Sequence, residues 1–523
     1  NTVERIEIIS GGGAVVYGSG TSGGVINIIT KNGFSSDKKI SGTIGTEMGS
    51  YNSYTYKGNV IGQVTDNLQI GLDYLHGNSD NYREGSEYDK DNYGISLNYK
   101  IDNNQKINFK YTKYTNDYSS PAVLTQAQLD KDRDGASTSE TDYQADKDSY
   151  SLVYDYNMKD NLKFNLLSSY YNSVSESSTS TSITNFDESK IAFKPKLNYE
   201  YSKGTLTAGY DYTFNNIVRD TKLGNGAFYD ISKMTNSVFL NNRYDMNKLE
   251  LITGYRYEKS DYEMKDQKYG TKTPSDMDKT SSNSAYSMGL NYLYSDSGKL
   301  YGKFESGYTF PDPRQYINLT NGEGELNNLQ DEEFMTYEIG FQDYIINSLV
   351  KGAVYYTEKE NEIRKEGSSL NAKFYNIDAS KRIGGELSIS QNIKKLELSE
   401  SIAYVDAKVT EGTYEGKRIP YVSKITSSIN ATYTFNEKVD LSGNITYRDK
   451  YYVDASNLSG LVNDKFVTDI KVNYSIDSNW KTYAGINNLF NADYYNTINY
   501  SSGAYTYDPA SERNYFIGFN YSF

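Results

Sequence analysis

The stretch Gly18-Ser-Gly-Thr-Ser-Gly23 satisfies G-x-G-x-x-G, the spacing that lets a backbone approach a pyrophosphate. That chemistry needs a strand entering the glycines and a helix leaving them. What leaves here is Val25-Ile-Asn-Ile-Ile-Thr30, β-branched and strand-like, so the match is read as tight turns rather than a phosphate cradle. Asp130-Lys-Asp-Arg-Asp-Gly135 opens like the D-x-[DN]-x-[DN]-G of a calcium loop, with Asp130, Asp132 and Asp134 offering hard oxygen ligands. The twelfth position is Thr141 rather than Glu, with Glu140 one residue early. A solvated acidic loop is therefore favoured over a structural calcium site.

Nothing else in the chain composes a reactive centre. Cysteine is absent and His76 is the only histidine, which removes thiolate chemistry and paired-histidine metal ligation. Acidic runs such as Asp331-Glu-Glu333 lack a His, Cys or Lys partner at a recognisable spacing. The expectation is that the protein is not an enzyme. A formal charge of -14 also disfavours a nucleic-acid partner, since phosphate binding needs clustered Lys and Arg.

The elements that position side chains follow a two-residue period. In Leu68-Gln-Ile-Gly-Leu-Asp-Tyr74, Leu68, Ile70, Leu72 and Tyr74 share one face and Gln69, Gly71 and Asp73 the other. Tyr93, Ile95, Leu97 and Tyr99 repeat the pattern against Gly94, Ser96 and Asn98. No run of roughly 18 apolar residues exists for a transmembrane helix. The 55 tyrosines are what the aromatic girdles of a membrane barrel would use. Tight turns alternate with long polar stretches, read here as loops over Gly77–Asp91, Thr115–Lys147, Asn172–Thr184, Asn215–Ile231, Ser260–Thr280 and Pro311–Asp331. Together these predict an all-β fold, a transmembrane antiparallel barrel of about 22 strands whose wide lumen needs a plug.

The two ends carry a resemblance. Val3–Lys31, "VERIEIISGGGAVVYGSGTSGGVINIITK", is similar to the end of the plug domain of TonB-dependent outer-membrane receptors, departing at Ser10-Gly-Gly-Gly13 where Arg-Gly-Pro is commoner. Ala484-Gly-Ile-Asn-Asn-Leu-Phe-Asn-Ala-Asp-Tyr-Tyr495 resembles the family's N-L-F-(D/N)-x-x-Y strand exit. The last strand, Asn514–Phe523, alternates aromatics and ends on one, as the family's assembly signal does. The resemblance implies residues 1–33 as the end of a plug and 34–523 as a barrel, with most of the plug, the TonB box and a signal sequence lacking from the chain as given.

The resemblance further implies a receptor in the bacterial outer membrane that takes up a scarce nutrient actively, a ferric siderophore above all. Cobalamin, haem or another metal chelate are alternatives, and a passive porin or surface adhesin is the rival of another class. Its partners would be the TonB–ExbB–ExbD complex acting through plug and TonB box, an iron chelate or similar ligand, and outer-membrane lipid. Tyr82, Tyr308 and Tyr316 are candidates for an aromatic capture platform, and Arg83 and Arg314 for meeting an anionic chelate. No resident cofactor is expected beyond the calcium considered above. His76 continues the lipid-facing register of its strand and is read as an interfacial residue, which disfavours haem.

Overall fold

The computed structural model describes residues 3–9, 13–30, 39–136, 140–223, 226–268, 275–320, 323–366, 372–501 and 503–523. Strict alternation along each segment produces strands with one apolar and one polar face, and 22 of them close into an antiparallel barrel. The last barrel strand, Asn514–Ser522, pairs with the first, Ile40–Gly49, placing Phe519 opposite Thr46. The terminal Phe523 completes the seam by exchanging backbone hydrogen bonds with Gly42 at 3.0 and 3.2 Å. Among the described residues, every wall strand is paired on both sides over at least part of its length. The expected barrel and its strand number are both present.

The faces are inverted relative to a soluble β-protein. On Leu68–Ser79, Leu72 and Tyr74 are exposed on the outside at 54 and 41 %, while Gln69 on the other face is buried at 3 %. Ile517 and Phe519 on the closing strand point outward in the same way. Buried positions include Asp211, Arg256, Glu258 and Glu305, which face the lumen. Apolar residues out and charged residues in is what a wall facing lipid requires.

At one end of the barrel the strands are joined by tight turns, as expected, such as that between Met246 and Leu249. The opposite ends depart from the loops expected. Asn172–Thr184 is not a loop: the strands Leu162–Thr179 and Ser182–Tyr201 run through it and meet at a two-residue turn. Strands likewise invade Asn215–Ile231 and Ser260–Thr280, reaching Leu223 and Lys268 on their leading sides. Ser, Thr and Asn there lack an apolar face, but each backbone still pairs with its neighbour, so the wall continues above the membrane. Gly77–Asp91 stays outside the wall between Ser79 and Tyr88, and Thr115–Lys147 between Pro121 and Glu140. Pro311–Asp331 also lies off the wall, with a 3₁₀ turn at Pro313–Tyr316 and a small hairpin of Ile317–Thr320 with Glu323–Leu326.

Two further units sit on or in the barrel. Val3–Ile9 and Val25–Thr30 form a two-stranded sheet, bracketing the short helix Ala14–Tyr17. The boundary expected at residues 33/34 lies outside the described residues. At the long-loop end, Tyr495–Ser501 and Ala504–Pro509 form a sheet with Leu124–Thr125. Two loops distant in sequence are thereby joined over one side of the mouth.

Candidate functional site

Inside the barrel, the segment Gly13–Gly24 is latched to the wall. Glu305, 1 % exposed on the strand Lys299–Thr309, accepts the backbone N–H groups of Gly13 at 2.6 Å and Ala14 at 2.7 Å. Ala14 and Val15 pack into a pocket of Phe239, Ala285, Tyr308, Phe310 and Phe334. Gly20 donates to the Tyr308 carbonyl at 3.1 Å, and Phe310 donates its N–H to the Ser19 hydroxyl at 2.9 Å. Arg256 lies beneath the turn, paired with Asp211 and Glu258 at 2.8 Å each and bonded to Ser237. Gly18 sits at φ 83°, and a Cβ there would come within 2.8 Å of the Glu258 carboxylate. Glycine is therefore required at Gly18 by its close approach to this buried ion group, whereas Gly20 is held by its φ of 86° and has open space around it.

A second arrangement lines the lumen near the long-loop end. The outward Tyr93 and Ile95 set the register, so Tyr88 and Lys90 on Tyr88–Lys100 face inward. Across three neighbouring strands, Tyr88 lies opposite Tyr118 and Tyr118 opposite Tyr143. The last two rings stack with centroids 4.7 Å apart and planes within 8°. Deeper in the lumen, Tyr114 lies opposite Lys147, whose ammonium is 5.6 Å from the ring centroid, and Lys90 sits 4.6 Å from the centroid of Tyr88. Tyr82, Arg83, Tyr88, Lys90, Tyr114 and Tyr118 line a cavity of 550 Å³ in this region. Aromatic faces beside ammonium groups suit a ligand that is both planar and anionic.

The structure separates the five ligand-binding candidates. Tyr82 and Arg83 stand at the cavity, but Arg83 is 5 % exposed and ties loops together, bonding Asp508, the Ala122 carbonyl and the Gly135 carbonyl at 3.3, 3.0 and 3.3 Å. Tyr82 meets the edge of Tyr51. Tyr308 and Tyr316 are fully buried: Tyr308 holds the latch pocket, and Tyr316 packs edge-on to Tyr262 with centroids 5.4 Å apart. Arg314 is exposed and paired with Asp312 at 3.0 Å, which keeps its guanidinium above the usual range. Glu305, Arg256, Lys90, Tyr114, Tyr118, Tyr143 and Lys147 were not anticipated from the sequence. Continuing the register of Tyr93 and Tyr111 outward into the supposed loops would have placed the tyrosines and lysines on the lumen face.

Of the three aspartates of the calcium pattern, Asp132 and Asp134 are neighbours, while Asp130 is engaged within a helix. Asp130 falls within the helix Gln126–Lys131, where it accepts from Gln126 at 2.7 Å, and Asp132 is the residue that ends the helix. Asp134 hydrogen-bonds to Asp132, and that contact, with some burial, raises its carboxyl above the ordinary range. Among the described residues, the side chains that converge as a metal would need are His76, Asp89 and Asp91.

The chain matches the family described as TonB dependent receptor-like, beta-barrel, over residues 17–489. It belongs to the TonB-dependent receptor family. This is a family of receptors and transporters rather than enzymes, and its lipid-facing barrel is an outer-membrane structure. The chain is similar to the probable TonB-dependent siderophore receptor PiuA of Acinetobacter baumannii, 24 % identical over 234 residues, which cover 40 % of this chain and 30 % of that protein. It thus spans under a third of that relative. Similarity to the vitamin B12 transporter BtuB of Photobacterium profundum is 23 % over 545 residues, covering 100 % of this chain and 80 % of BtuB. The closed form of the ferric-catecholate import receptor Fiu from Escherichia coli K12 superposes with a TM-score of 0.85 at 15 % identity, covering 100 % of this chain and 86 % of Fiu. At that identity the likeness establishes the fold.

Proposed function

We propose that this TonB-dependent receptor takes up a ferric siderophore of anionic, aromatic character, captured in the cavity beside Tyr88, Tyr118 and Lys90. The observation that carries the reading is the lumen wall itself, stacked tyrosines with ammonium groups at 4.6 and 5.6 Å from ring centroids. Ring stacking and cation–π geometry fit a chelate with aromatic arms and negative charge. PiuA and Fiu, which the chain resembles, are described as a siderophore receptor and a ferric-catecholate import receptor.

In this reading residues 3–30 are the closing part of a plug, and the latch at Glu305 is its attachment to the wall. Pulling through TonB, energised by ExbB–ExbD, would act on that attachment, and the outer wall would rest in outer-membrane lipid. A segment held inside the lumen argues against a passive porin or adhesin. Cobalamin is a second reading, favoured by the similarity to BtuB along the whole chain. His76 faces outward beyond Tyr74 and so is not placed to ligate a haem in the lumen. Deletion of the gene, followed by growth on single ferric siderophores and on cobalamin, tests the assignment. Lost growth on a catecholate iron source supports it; a defect confined to cobalamin transfers the cargo to the second reading.

A further inference from the structure

We infer that His76, Asp89 and Asp91 form a binding site for a divalent first-row metal ion of the Zn²⁺ class on the outer surface of the barrel. The site is separate from the lumen and does not depend on which nutrient is carried. The pleat builds it: His76 lies directly opposite Asp91 on the neighbouring strand, and Asp89, two residues away, shares the same outward face. One nitrogen and two carboxylate oxygens lie within 4.8 Å of one another. His76 Nδ1 is 3.1 Å from Asp91 Oδ1 and 3.9 Å from Asp89 Oδ1. Bonds of about 2.0–2.1 Å at tetrahedral angles place ligand atoms roughly 3.3 Å apart, so these donors need only small shifts to close on one ion.

Each donor is also held from behind. The Tyr56 ring stacks on the imidazole with planes within 14°, and Tyr54 flanks it at 5.6 Å. The Tyr74 hydroxyl donates to Asp91 Oδ1 at 3.0 Å, and Asn78 donates to Asp89 Oδ2 at 3.1 Å. Such outer contacts orient ligands and sharpen affinity. An imidazole combined with carboxylates suits Zn²⁺ and neighbouring transition metals better than Mg²⁺ or Ca²⁺. Three protein ligands leave a further position, open because the Asp89 side chain is 50 % exposed. Asp146 and Asp148, outward on a nearby strand, add negative potential to the same band, although Lys113 offsets Asp146 at 3.6 Å.

The test uses the full chain, folded in detergent and without a histidine tag, titrated with Co²⁺ and followed by visible d–d absorption. One equivalent is expected to bind and to be displaced by Zn²⁺, with His76→Gln and Asp91→Asn weakening binding by about tenfold or more and Asp130→Asn leaving it unchanged. An absent saturable band, or His76→Gln binding as wild type, overturns the assignment. Because His76 is the only histidine, its carbethoxylation in the wild-type protein gives a second readout free of folding effects. Saturating Zn²⁺ should abolish most of that reaction; an unchanged rate overturns the site.

Discussion

The Glu305 carboxylate accepts the backbone N–H of Ala14 at 2.7 Å, across 291 residues of chain, and so fixes a lumen segment to the barrel wall. A buried carboxylate at the start of a helical turn satisfies donors the turn leaves free, and charged hydrogen bonds of this kind are among the stronger ones.

Replacing Glu305 with Ala should therefore loosen the segment without dissolving the barrel. Losing two charge-assisted bonds costs roughly 3 kcal/mol, or about a hundredfold in local opening. Hydrogen exchange over residues 13–24 should accelerate by that order while the strands stay protected. Unchanged exchange there would remove Glu305 from the latch.

Gly18→Val strikes the same attachment from the other side. The left-handed backbone and the 2.8 Å approach to Glu258 leave no room for a branched side chain. A cost of about 1–3 kcal/mol is expected, read as faster exchange over the segment and easier proteolysis. Gly23→Ala, where an added Cβ meets nothing within 4 Å, is the control and should behave as wild type.

Lys147→Gln and Tyr118→Ala test the lumen wall. Removing one ammonium, or one face of the stacked pair, should weaken binding of an anionic aromatic chelate by roughly 1 kcal/mol each, about fivefold. Thermal unfolding should be little changed, since Tyr118 is 37 % exposed. Equal affinity in both variants would move the ligand elsewhere.

Asp454 in the loop before Lys465 supplies a pH dependence. Burial would raise its carboxyl, but the hydroxyls of Ser456 and Ser459 and the N–H groups of Ser459 and Leu458 outweigh that and hold it below the usual range. A depressed folded value means the stabilisation is present above the unfolded pKa of about 3.9 and is lost as pH falls through the lower folded value. Hydrogen exchange of residues 454–459 should rise over that acid interval in wild type, whereas Asp454→Asn should show fast exchange already at neutral pH. An acid response retained in Asp454→Asn would assign it to another group.

The barrel was legible because a two-residue period survives tertiary context: lipid and lumen impose opposite demands on alternate residues of every strand. The wall above the membrane was not, since Ser175 and Asn185 carry no apolar signal even though their backbones pair fully. Tyrosine misled for a related reason. Tyr316 and Tyr118 are the same residue type, yet one is core and the other lines open space, and neighbours distant in sequence decide which. Arg256 and Glu305 were invisible because a buried charge is explained only by partners that folding brings to it.

Equilibrium binding of a ferric catecholate chelate to the detergent-folded protein, followed by quenching of its intrinsic fluorescence, tests the central claim most directly. Saturable binding at micromolar concentration or below is predicted, weakened about tenfold or more when Lys90→Gln and Lys147→Gln are combined. No saturable binding of the chelate, or affinity indifferent to both lysines, would contradict it.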